Sequence, residues 1–297
     1  MNVLARVAGF GALLAVVFGL AWVVGTRVGP VGEPVAAHSE EHEAGHDHAS
    51  ATAERDEVPG GLMVSDAGYS LDLADSELAP GSERRLAFTV TGPDGRPVTA
   101  YDEEHGKRLH LIVVRRDFSG FQHVHPTLDD RGTWTVPVDL APGAWRVFAD
   151  FKPTGGDAVT LGSDLVVPGA TSPSVEAPVT RTATVDGYTV TLRGDLVAGE
   201  HSMLTLSVAH AGRPVTDLQP YLEAYGHLVA LREGDLAYLH VHPGGEPGDG
   251  KTTPGPDIEF GAEVPSAGGY NLYLDFKHDG VVRTAQFALD AHEASSS

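Results

Sequence analysis

A chain of 297 residues with 20 Lys and Arg against 41 Asp and Glu has a formal net charge of −21 at pH 7, which excludes a nucleic-acid binder, because neutralising phosphates requires a basic surface. It holds no cysteine, so disulfides, thiolate zinc sites, iron–sulfur ligation and a cysteine nucleophile are excluded. Fifteen histidines against three methionines leave borderline and hard donors in the majority, while 36 Gly and 20 Pro predict short strands and tight turns in about two domains.

The first element is the run Val7 to Thr26, which carries no charge and at 1.5 Å per residue matches a hydrocarbon core about 30 Å thick. The small-residue stretch Val35-Ala36-Ala37 falls well beyond it, so an uncleaved membrane anchor over 1–27 is favoured over a signal peptide. The membrane is thus one expected partner, through residues 7–26, with the acidic C-terminal part outside the cytoplasm. Residues 28–60 are rich in Pro, Gly, Ala, Glu and Ser and poor in aromatics. Such a composition does not offset the entropy of ordering, and a flexible, disordered tether is predicted. Its HSEEHEAGHDH tract sets His38, His42, His46 and His48 among Glu40, Glu41, Glu43 and Asp47. The tract reads either as a capture segment for a divalent transition ion or as a solvated acidic linker.

Residues 61–170 and 179–290 are two copies of one pattern. Gly68-Tyr69-Ser70-Leu71 answers Gly187-Tyr188-Thr189-Val190, and Gly95-Arg96-Pro97-Val98 answers Gly212-Arg213-Pro214-Val215. His110, His123, Val124, His125 and Pro126 recur 117 positions later as His227, His240, Val241, His242 and Pro243. Asp150-Phe151-Lys152 answers Asp275-Phe276-Lys277 after extra residues in Gly244 to Pro256, which belong on a loop. Alternation at Leu86, Phe88 and Val90, at Leu204, Leu206 and Val208, and at Tyr270, Leu272, Leu274 and Phe276 marks half-buried strands. Leu109 to Val114 and Leu228 to Leu231 are apolar on both faces, as central strands would be. The fold class is all-β: two tandem immunoglobulin-like antiparallel β-sandwiches, joined by Thr171 to Pro178, after one N-terminal transmembrane helix and the tether.

Each repeat places a His twelve residues before His-Val-His-Pro. His123 and His125, or His240 and His242, lie on one face of a strand, roughly 7 Å apart at Cα. A two-residue turn at Glu233-Gly234 sets His227 opposite His240; the same register around Arg116-Asp117 sets His110 opposite His123, unless that turn, which lacks a central Gly, is longer. Three neutral imidazoles per repeat are a donor set for Cu(II) or Zn(II) with one position left over. Asp150 and Asp275 are candidate fourth ligands, or acceptors that orient an imidazole, or plain partners of Lys152 and Lys277. His105 stands near the first trio, whereas His201, His210, His278 and His292 are expected at the surface. Nucleophile-elbow and phosphate-loop motifs are missing, so no enzyme is predicted.

RLHLIVVRRDFSGFQHVHP followed by WRVFADFKP resembles exported, often membrane-anchored bacterial β-sandwich proteins similar to YtkA-like and copper-resistance CopC-like modules. That resemblance implies a cell-envelope location and a role in holding or delivering copper or another heavy metal. The chain departs from the copper carriers in having no Met-rich segment and no free N-terminal His. The leading expectation is extracytoplasmic binding, buffering or delivery of copper or zinc. The alternative is an envelope protein-interaction module whose histidines are structural or pH-sensitive.

Overall fold

The computed structural model describes residues 58–171, 179–239 and 241–294. The predicted anchor, the tether histidines His38, His42, His46 and His48, and His240 lie outside the described residues. No helix among the described residues is long and apolar enough to cross a membrane.

The first lobe contains β1 (Ser65–Asp66), β2 (Tyr69–Leu73), β3 (Gly81–Thr91), β4 (Tyr101–Asp102), β5 (Leu109–Arg115), β6 (Gln122–Val124), β7 (Thr127–Leu128), β8 (Thr133–Leu140), β9 (Gly143–Pro153) and β10 (Val159–Val167). The second contains β11 (Thr182–Val185), β12 (Tyr188–Arg193), β13 (Leu196–Val197), β14 (His201–His210), β15 (Arg213–Pro214), β16 (Gly226–Arg232), β17 (Tyr238–Leu239), β18 (Val241–Pro243), β19 (Asp257–Glu263), β20 (Gly268–His278) and β21 (Val281–His292). In the first lobe the sheet β1-β2-β3-β8-β7 packs on β10-β9-β5-β6, with β4 beside β9. In the second, β11-β12-β14-β19-β18, with β15 beside β14, packs on β13-β21-β20-β16-β17. Pairing between these strands is antiparallel except between β13 and β21. The architecture is therefore two tandem β-sandwiches, and Gly244 to Pro256 form the β18–β19 loop.

The alternating residues fill the cores as their period demands. Leu86, Phe88 and Val90 meet Leu109, Leu111, Val113 and Trp134 in one lobe. Leu204, Leu206 and Val208 meet Tyr270, Leu272, Leu274 and Phe276 in the other. The second apolar face of β5 and β16 has a different cause from the one expected. Ile112, Val114 and Phe148 pack against Val229, Leu231, Leu236 and Tyr273 in a third cluster that joins the lobes. Burying such side chains contributes about 1.5–3 kcal/mol each, so the lobes dock through the sheets containing β5 and β16, and the described residues belong to one compact unit.

The end of the predicted tether and the start of the first repeat are held. Tyr238 donates its backbone N–H to the Gly60 carbonyl at 2.9 Å, and Arg146 donates to the carbonyls of Gly61 and Leu62 at 2.7 and 2.9 Å. Gly162 permits this approach, because a Cβ there would stand 2.0 Å from the Gly61 oxygen.

Both hairpin registers differ from the expected ones by two residues. Ile112 pairs with His123 and Leu111 with Val124, whereas Ala230 pairs with Leu239 and Leu231 with Tyr238. The loops are longer than two residues: Arg115 accepts from Phe118 and donates to the Ser119 carbonyl, and Arg232 donates to the Ala237 carbonyl. A shift of two keeps every side chain on its face. The shared facing of His110, His123 and His125 survives, but the direct pairing of His110 with His123 does not.

Candidate metal centre

On β5 the odd residues Leu109, Leu111 and Val113 enter the core of the first lobe. His110 therefore shares the other face with Ile112 and Val114, toward the second lobe. His123 on β6 and His125 just beyond it turn the same way. Among the described residues these three histidines form the group whose ligand atoms all lie within 4.8 Å of one another. His110 Nδ1 is 3.1 Å from His123 Nε2 and 3.3 Å from His125 Nε2.

Outer hydrogen bonds fix which nitrogens face inward. His110 Nε2 lies 3.0 Å from the Glu104 carbonyl; a carbonyl only accepts, so Nε2 carries the proton and Nδ1 the lone pair. His123 Nδ1 lies 2.8 Å from Asp275 Oδ2, so that nitrogen donates to the carboxylate and Nε2 faces inward. Asp275 is itself held by Thr284, whose hydroxyl donates to its second oxygen at 2.5 Å. A proton on His125 Nε2 satisfies one contact to His110 Nδ1. The same lone pair still faces that of His123, an arrangement of acceptors that a cation resolves.

Electrostatics keeps His110, His125 and His227 neutral. Burial holds the His110 imidazole down at about 4, with the nearby His123, His105 and Lys107 adding to the depression and the Glu104 hydrogen bond opposing it. Burial holds His125 at about 3, assisted by His123, His110 and Lys107. His227 is pushed well below the ordinary histidine value, again chiefly by burial. At pH 7 these three imidazoles therefore carry no charge, the form in which they coordinate metal.

The second lobe's residues divide differently from the sequence expectation. Asp275, paired with His227 across β16 and β20, reaches the other lobe and orients His123. It is an acceptor for an imidazole, as one sequence alternative had it. Asp150, opposite His110 across β5 and β9, accepts from the Thr160 hydroxyl at 2.9 Å. His227 stands beside the first trio, with ring centroids 4.9 Å from His123 and 5.4 Å from His110, parallel to the latter within 5°. His242 does not join it: Leu239 pairs with β16 but Val241 to Pro243 pair with β19, so the chain has changed sheets and His242 is exposed on the far side of the lobe. The expectation that His242 stands beside His227 is corrected on that ground, and His240 lies outside the described residues.

Two neighbours escaped the sequence reading. Tyr221 lies 6.5 Å from His125, ring to ring, and its phenol is pushed up to about 12 by burial and by Asp275. The Glu104 carbonyl has no side-chain signature at all. His105 is at the rim, 6.1 Å from His110 and 5.7 Å from His227 between centroids. His278, expected at the surface, is buried and bonded to the Tyr188 hydroxyl at 2.7 Å and to Asp217 at 3.0 Å.

Fold and site together define a two-lobed β-sandwich protein with an imidazole cluster where its lobes meet. The chain belongs to the family described as Domain of unknown function (DUF8832), which matches it twice, over residues 63–167 and 183–293. The likeness to YtkA-like and CopC-like modules remains one of motifs. No curated protein matches. Among solved structures, the Escherichia coli adhesin FdeC is similar at 14% identity and a TM-score of 0.24, over 77% of this chain and 65% of that one. Yersinia pseudotuberculosis InvD is similar at 14% identity and a TM-score of 0.25, over 77% and 59%. The chain thus spans less than two thirds of the length of either.

Proposed function

We propose that this protein holds one divalent transition ion, Zn(II) or Cu(II), between its lobes on His110 Nδ1, His123 Nε2 and His125 Nε2, and buffers or delivers it outside the cytoplasm. The observation that carries the reading is the inward convergence of these nitrogens while outer acceptors occupy His110 Nε2 and His123 Nδ1. Metal–nitrogen bonds of about 2.0–2.1 Å in a tetrahedral array place ligand nitrogens about 3.3–3.4 Å apart, close to the 3.1 and 3.3 Å separations here. Three imidazoles suit zinc and copper, and the Asp275 contact raises ligand basicity. A fourth position is left, with His227 the adjacent imidazole. The site has the composition of a holder, and no catalytic step is assigned to it. The acidic surface attracts cations at long range.

Zinc titration by calorimetry tests this reading. The His110→Ala/His123→Ala/His125→Ala variant is expected to bind one tight Zn(II) fewer per chain than the native protein, and an unchanged stoichiometry contradicts the site. A second reading, an envelope protein-interaction module, is supported by the exposed valines Val281 and Val282 on β21. Capture of one membrane partner that persists in chelator, and in the triple variant, would favour it.

A further inference from the structure

A second cluster of metal donors lies on the solvent face of the second lobe, on the sheet that faces away from the first lobe. On β14 the pattern exposed, buried, exposed puts His201 and Met203 on that outer face. Across the sheet Met203 pairs with Gly261 of β19, and Gly261 pairs in turn with His242 of β18. Directly paired residues share a face. Met203, Gly261 and His242 therefore form one row, with its ends about 9–10 Å apart at Cα for strands spaced about 4.8 Å.

Gly261 is the floor of this row. The His201 ring lies over it, and a Cβ at Gly261 would stand 2.5 Å from His201 Nε2. Met203 and His242 stand on the strands either side of that glycine. Met203 is 54% exposed and one of three methionines in the chain. Glu263, paired with His201, and the exposed Glu259 flank the row. They add negative charge without adding soft donors.

We infer that His201, Met203 and His242 form a separate surface site for a soft monovalent ion, Cu(I). A thioether with two imidazoles is a donor set that selects Cu(I), whereas the all-imidazole cluster between the lobes suits divalent ions. Glycine at 261 keeps the space in which His201 meets its partners. The site shares no residue with the inter-lobe trio and stands independently of the function proposed for it.

The test uses the full chain with ¹³C-methyl-labelled methionine, titrated with Cu(I) under ascorbate without oxygen. The three methionines give separable methyl resonances, assigned by Met203→Leu. The Met203 methyl signal is expected to move and to saturate at one Cu(I) per chain. The movement is lost in His201→Ala/His242→Ala, and Gly261→Ala, whose methyl displaces the His201 ring, weakens binding by about tenfold or more. A Met203 signal unmoved by excess Cu(I), or moved equally in the double variant, overturns the site. Either result leaves the Zn(II) stoichiometry of the inter-lobe trio to be judged separately.

Discussion

Replacing Asp275 by Ala is expected to lower the affinity of the His110–His123–His125 site for Zn(II) by about 10–100-fold, the usual effect of removing an acceptor that orients a ligating histidine. All three ligands belong to the first lobe and Asp275 to the second. Its carboxylate holds the proton on His123 Nδ1 at 2.8 Å and so presents Nε2 to the ion. Without it, the His123 ring is free to turn or change tautomer, and one ligand in three is no longer preorganised. Competition with a chromophoric chelator measures the change. Asp290→Asn removes the same charge from an exposed position of the same lobe and is the control. Equal affinities for the native protein and Asp275→Ala would mean that the second lobe has no part in the site.

The second large effect concerns the docking of the lobes. Tyr273 is 1% exposed, stacks on Phe121 at 3.9 Å with rings parallel within 5°, and donates its hydroxyl to the Phe118 carbonyl at 2.6 Å. Tyr273→Ala removes the ring that links the two lobes and is expected to cost about 3–5 kcal/mol of stability by denaturant unfolding. Tyr273→Phe keeps the stack and loses only the hydrogen bond, for about 1–2 kcal/mol. A loss below about 1 kcal/mol for the alanine variant would show that the lobes do not depend on this contact.

Much of the fold was legible because it rests on period. The duplicated blocks, the alternating residues of β3, β14 and β20, and the shared facing of His110, His123 and His125 all follow from strands having period two. Facing is unaffected by a two-residue error of register, which is why the trio could be anticipated while its cross-strand pairing could not. The loop after Arg115 and the one after Arg232 carry no turn dipeptide strong enough to fix their length.

What the sequence concealed are contacts between distant segments. The signal for lobe docking was present in Leu109 to Val114, since a sandwich strand exposed on one side would alternate; it was read as a central strand instead. Nothing local to Asp275 says that it serves His123 of the other repeat rather than His227 beside it. The repeats also look equivalent at His125 and His242, yet one belongs to the trio and the other is exposed. Where a chain changes sheets depends on its edge partner, here β19 for Val241 to Pro243, and the alternation of residues is the same in either case.

The central claim concerns which nitrogens point inward, and long-range ¹H–¹⁵N correlation spectra of the imidazoles read this directly. In the zinc-loaded chain the account predicts His110 protonated on Nε2 and His123 on Nδ1, with the opposite nitrogen of each shifted by the metal. Protonation of His110 on Nδ1, or ¹⁵N signals of the trio that do not respond to Zn(II), would contradict it.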